Sequence, residues 1–100
     1  MTIFMSNMIL CMEKPYSDIA KRLVWHRALL GFTQKEYAEK AGLKRAAINN
    51  YESGDFQIGL AAARALRKTY GLSLDFIYEG EAEALPMNLR KALLDSPLER

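Results

Sequence analysis

Five glycines set the scale of anything this chain can fold into. Gly31, Gly42, Gly54, Gly71 and Gly80 cut the middle of the sequence into short pieces. Each piece carries apolar residues at a spacing of three or four, the signature of a helix with one face turned inward. A helix running into Gly31 stops there, because glycine takes the left-handed conformation at a helix end without strain. The chain is therefore expected to be a set of short helices with tight turns. Nothing alternates with period two, and β-branched residues are few, so no sheet is expected.

The helix starts are legible too. Ser17 or Asp18 can cap a first helix ending at Leu30, with Ile19, Leu23, His26 or Arg27, and Leu30 at helical spacing. Thr33-Gln34-Lys35-Glu36 is a capping box: the threonine hydroxyl accepts from the third amide and Glu36 reaches back. Tyr37, Ala38 and Ala41 form the inner face of this second helix. A third begins near Lys44, with Ile48 and Tyr51 pointing inward, and a fourth spans Leu60 to Tyr70 along Leu60, Ala63, Leu66 or Arg67, and Tyr70. Ser73 caps a fifth, carrying Leu74, Ile77 and Tyr78. Glu81 to Leu85 reads as a linker, and Pro86 to Asp95 has room for a sixth helix with Leu89, Leu93 and Leu94 on one side. The expected organisation is an extension over 1–15, one helical domain over 16–80, and a C-terminal linker with a short helix over 81–100.

Charge is unevenly spread. Residues 21–70 hold ten Lys or Arg against four acids, a net +6, while residues 71–100 carry a net −3. A basic middle suits a phosphate backbone, although a solvated surface can look the same. No run of about 18 apolar residues suggests a membrane span. The uncharged start, MTIFMSNMILCM, lacks the basic region and cleavage site of a secretory signal, so a cytoplasmic protein is expected. One cysteine, Cys11, cannot make an internal disulfide.

Catalytic and metal chemistry find little support. His26 is the single histidine and has no Cys, Asp or Glu at ligand spacing, so a packing role is expected. Cys11 with His26 lacks a third orienting group for nucleophilic catalysis. There is no paired-carboxylate motif and no glycine-rich phosphate loop. No enzyme activity, cofactor or metal is expected.

The informative stretch is Gln34 to Ser53, QKEYAEKAGLKRAAINNYES. Two short helices meet at a sharp turn. Ala38 lies where they cross, where a larger side chain would push them apart, and Gly42 supplies the positive φ of the turn. If Leu43, Ile48 and Tyr51 pin the second helix to the core, its other face must project outward. That face carries Lys44, Arg45, Ala46, Asn49 and Asn50.

Residues 19–78 resemble the Cro and phage-repressor type of helix-turn-helix family, also called the XRE family. The resemblance rests on Leu23, Arg27, Gly31, Thr33-Gln34, Ala38, Gly42, Ile48, Glu52 and Gly54, followed by Gly71-Leu72-Ser73-Leu74-Asp75. It implies an all-α, five-helix lambda-repressor-like fold and binding to duplex DNA. By position it implies that Gln34 contacts a phosphate, which suits the start of a helix. It implies that Lys44, Arg45, Ala46, Asn49 and Asn50 face the DNA, and that Arg27 and Glu52 form a structural ion pair. Arg45 can donate twice to guanine and Asn50 can pair with adenine. A transcription regulator acting as a homodimer is the leading expectation. The alternative is an antitoxin-like interaction module, with a toxin as partner and weak DNA binding.

Several positions depart from the family pattern. Lys44 stands where Ser or Thr usually caps the third helix, and lysine cannot accept the amide bonds. Ala47 replaces a usual Thr or Ser, Ile58-Gly59 a common Pro-Ser, and Asp55 a frequent basic residue. Trp25 and Leu29 replace polar residues on the side of the first helix away from its core stripe. They imply either cover by another part of the chain or a subunit interface.

Overall fold

The computed structural model describes residues 14–98. Among them the backbone forms six α-helices, one short 3-10 turn and no strand. The helices are α1 (Ser17–Leu30), α2 (Gln34–Lys40), α3 (Arg45–Ser53), α4 (Leu60–Tyr70), α5 (Leu74–Glu79) and α6 (Met87–Asp95), with the 3-10 turn at Ala82–Ala84. The extension's residues 1–13, Cys11 included, lie outside the described residues.

The glycines act as the sequence implies. Gly31, Gly54, Gly71 and Gly80 each follow a helix directly, and Gly42 follows α2 by two residues. All five have φ between 71° and 85°, and no other described residue has a positive φ. Gly54 is constrained twice. A Cβ there would stand 2.9 Å from the Lys14 Cβ, because the chain entering α1 crosses the end of α3. The Tyr16 amide donates to the Gly54 carbonyl at 3.0 Å in the same crossing.

The caps match expectation at α2 and α5 and differ at α1. The Thr33 hydroxyl accepts from the Glu36 amide at 3.1 Å, and Glu36 accepts from the Thr33 amide at 2.9 Å. Ser73 Oγ accepts from the Phe76 amide. At α1 neither Ser17 nor Asp18 is the cap. Tyr16 holds that position with no side-chain hydrogen bond, and the Ser17 amide donates instead to the Lys14 carbonyl.

One core runs through the helices. Leu23, Tyr37, Ala38, Ile48, Ile58, Ala63, Leu66, Leu72, Phe76 and Ile77 are essentially sealed from water. α1 packs on α3 and α5, α2 on α3, and α4 on α5. Three leucines read as inward are not. Leu30, Leu60 and Leu94 are 37%, 56% and 82% exposed. On α4 the buried stripe is Ala62, Ala63 and Leu66. At 100° per residue, Leu60 lies about 110° round the helix from its centre. Leu94 is turned by a similar angle from Leu89 and Leu93. Glu81 to Leu85 is not an open linker: it holds the 3-10 turn, and Leu85 and Leu89 join the same core as α1.

The geometry favours cover from within the chain for Trp25. Its ring lies 5.7 Å from that of Phe76, and its indole N–H donates to the Ser96 carbonyl at 2.7 Å. Leu29 remains 38% exposed. Removing residues 96–100 is expected to shift Trp25 fluorescence to the red and to cost about 1–2 kcal/mol, for one hydrogen bond and part of the indole's cover. In the intact chain the emission is expected to be blue-shifted and independent of concentration. A red shift on dilution, with the fold intact by circular dichroism, would instead place Trp25 between subunits.

Candidate nucleic-acid interface

The α2–α3 corner is built by local hydrogen bonds. The Leu43 amide turns back to the Ala38 carbonyl at 2.8 Å, and the Gly42 amide donates to Glu39. With φ of 72°, Gly42 allows α3 to leave in a new direction immediately. Ala38 is fully buried at the crossing, where its single methyl lets the two helices approach. Ile48 is buried and Leu43 and Tyr51 are half-buried, which fixes how α3 is rotated.

Lys44, Arg45, Ala46, Asn49 and Asn50 are all exposed. Lys44 occupies the cap position without a side-chain hydrogen bond. Two ion pairs occur among the described residues, Lys14–Asp55 and Arg27–Glu52, and neither occupies Lys44 or Arg45. Asp55, an acid just past α3, is matched locally by Lys14 at 2.8 Å. The hydrogen bond from Lys14 holds its carboxyl below the usual carboxylate range.

Behind this face lies a polar cluster. Arg27 Nε and Nη2 donate to the two oxygens of Glu52 at 2.7 and 3.0 Å, and Nη1 donates to the Phe32 carbonyl at 2.9 Å. The hydrogen bonds to Glu52 raise the Arg27 pKa further above its ordinary value. Gln34 joins the same carboxylate, donating from Nε2 to Glu52 Oε1 at 2.9 Å. This last contact links residues 18 apart in sequence and has no local signature. Lys14–Asp55 was equally silent in the sequence.

His26 lies away from this surface. It is 1% exposed, shares a 2.6 Å hydrogen bond through Nδ1 with the Tyr37 hydroxyl, and meets the rings of Tyr37 and Tyr70 edge-on. Among the described residues no group of three His, Cys, Asp or Glu is placed to hold a metal ion, and no helix is long and apolar enough to cross a membrane.

Comparison with known families matches residues 23–77, more than half of the chain, to the family described as helix-turn-helix. The chain belongs to the Cro and phage-repressor type of helix-turn-helix family. It therefore carries a DNA-binding helix-turn-helix domain, in a family of regulators and not of enzymes. One relative is an uncharacterized HTH-type transcriptional regulator of Methanocaldococcus jannaschii, 34% identical over 62 residues, which span 60% of this chain and 94% of that protein. Another is a propionyl-CoA carboxylase regulator of Cereibacter sphaeroides, 30% identical over 69 residues, or 69% of this chain. The helix-turn-helix chain spans only 15% of the length of that second regulator. No solved structure matches.

Proposed function

We propose that this protein is a sequence-specific regulator of transcription that lays α3 in the major groove of duplex DNA. The observation that carries this reading is the two-sidedness of α3: Ile48 is sealed in the core while Lys44, Arg45, Ala46, Asn49 and Asn50 stand exposed together. A major groove admits one helix and offers base edges to the side chains that project from it. Arg45, in the first turn, reaches deepest and donates to guanine O6 and N7. Asn50 pairs with adenine, Ala46 meets a thymine methyl, and Lys44 and Gln34 hold phosphates. One helix reads only a few base pairs, so two copies bind two half-sites. Residues 16–80 form the reading head, and the segment from Leu85 braces it.

The test is selection of bound sequences from a random duplex pool at two salt concentrations. A defined motif and a steep fall in affinity with salt are expected. Arg45→Ala is expected to cost ~1–3 kcal/mol on the selected site and to relax one base pair. Lys44→Ala should lower affinity evenly across sequences and make the salt slope shallower by about one. An even loss across sequences on Arg45→Ala would make Arg45 a phosphate contact and shift the register of α3. No effect of either substitution, with a salt slope near zero, would leave the domain as a protein-interaction module.

A further inference from the structure

We propose that Glu52 is the positioning residue for Gln34, deciding which atom of its amide is offered to a DNA phosphate; this rests on the DNA-binding reading above. Glu52 has 5% of its side chain exposed, and both of its oxygens are occupied. Oε2 accepts from Arg27 Nε, while Oε1 accepts from Arg27 Nη2 and from Gln34 Nε2.

The two ends of a side-chain amide are nearly identical in shape and opposite in chemistry, one a donor of two hydrogens and the other an acceptor. A free glutamine turns about its last torsion with little preference. Against Glu52 it cannot. A carboxylate only accepts, so the NH2 end must face it, and the carbonyl end would place like partial charges in contact. One N–H is then spent on Glu52 and the other remains on the same nitrogen. Phosphate oxygens also only accept, so that second N–H is the atom a phosphate can take. Arg27 holds the carboxylate in place by two hydrogen bonds while anchoring itself on the Phe32 carbonyl. The ion pair thereby joins α1, α2 and α3 and orients an amide at the rim of the interface, beyond any part it plays in stability.

The experiment measures affinity for a selected duplex in two backgrounds. In the natural chain, Gln34→Ala is expected to weaken binding about five- to tenfold, the scale of one solvent-exposed hydrogen bond. In the Arg27→Met/Glu52→Leu background, which removes one charge of each sign and leaves the net charge unchanged, the same substitution should change affinity less than about twofold. The salt slope of that background should match the natural chain. Equal losses in both backgrounds would overturn the proposal while leaving DNA binding intact, as would no loss in the natural chain. Failure of the natural chain to bind duplex at all would overturn both readings.

Nuclear magnetic resonance gives a second readout that needs no substituted background. The two Nε2 protons of Gln34 should be distinct in the free protein, and duplex should shift the outward one while the other stays on Glu52. Movement of the Glu52-facing proton on binding would mean the contact opens, and would overturn the proposal. Should the apolar background fail to fold, Gln34→Asn takes its place. One methylene shorter, it cannot reach both partners, so it should bind as weakly as Gln34→Ala; full affinity would overturn the proposal.

Discussion

Glu52→Ala alone is expected to destabilise the fold by ~3–5 kcal/mol, whereas Arg27→Met/Glu52→Leu is expected to cost little or even to stabilise it. The asymmetry follows from burial. Glu52 and Arg27 have 5% and 22% of their side chains exposed, and they lie 2.7 Å apart. Removing Glu52 strands a guanidinium that keeps one hydrogen bond, to Phe32, and leaves the Gln34 amide without its acceptor. Replacing both charges by apolar side chains of similar volume strands neither, and fills the space with packing. Domains of this size have about 5–15 kcal/mol in total, so the single substitution takes about a fifth of it or more. Denaturant midpoints of the two single variants and the double variant decide the matter. A double variant as unstable as the two singles combined would mean that the two residues act independently, with no coupling between their charges. That outcome would remove the argument from desolvation.

What was legible in the sequence was local. A capping box spans four residues, and the Thr33–Glu36 box is in place. A glycine stop depends on one residue's φ, and all five expected stops have it. The exposure of Asn50 and Ala46 follows from Ile48 on the same short helix, because helical spacing sets them opposite it; Lys44 and Arg45, four and three residues before Ile48, share its side and are exposed at the start of the helix. The same reasoning misplaced Leu30, Leu60 and Leu94. Spacing defines stripes, but the direction in which a stripe faces depends on where the other helices lie. Phe76, Ile58 and Leu72 show the converse. Each is sealed in the core, yet Ile58 and Leu72 precede their helices, where no periodicity marks them.

The rest of the site depended on contacts across long stretches of chain. The Gln34 amide and Glu52 meet only because α2 and α3 fold back on one another, and Lys14 meets Asp55 only because the entry to α1 crosses the end of α3. The Trp25 indole finds its acceptor 71 residues away, at Ser96. For Trp25 the sequence left two readings open, and nothing local to α1 could choose between them. The choice lies with the segment that follows α6.

Acidification should weaken the fold by about 3 kcal/mol between pH 6.5 and pH 4, with His26 as the principal cause. The imidazole is sealed among Trp25, Tyr37 and Tyr70, and burial holds its pKa down to about 4 from an ordinary 6.5. In the unfolded chain His26 takes up a proton as pH falls through 6.5, while in the folded chain it resists until about 4. The unfolded state therefore binds more protons across this window, and stability rises with pH through it. Above 6.5 the contribution of the neutral imidazole is complete; below about 4 it is gone. A difference of that size, at 1.36 kcal/mol per pKa unit, is the origin of the figure. His26 is the single histidine, and the carboxyls of Glu36 and Asp55, both held low by hydrogen bonds, begin to lose their contributions only as pH falls to their ordinary values of 4.5 and 3.8, at the acid end of this range and below it. Unfolding free energies measured by urea at half-unit pH steps give the profile directly. His26→Gln should flatten it between pH 6.5 and 5 while lowering stability at pH 7, since the Tyr37 hydroxyl loses its 2.6 Å partner. A natural chain whose stability stays level from pH 7 to pH 4.5 would mean that the imidazole is protonated as readily folded as unfolded, and that the aromatic cluster opens to water.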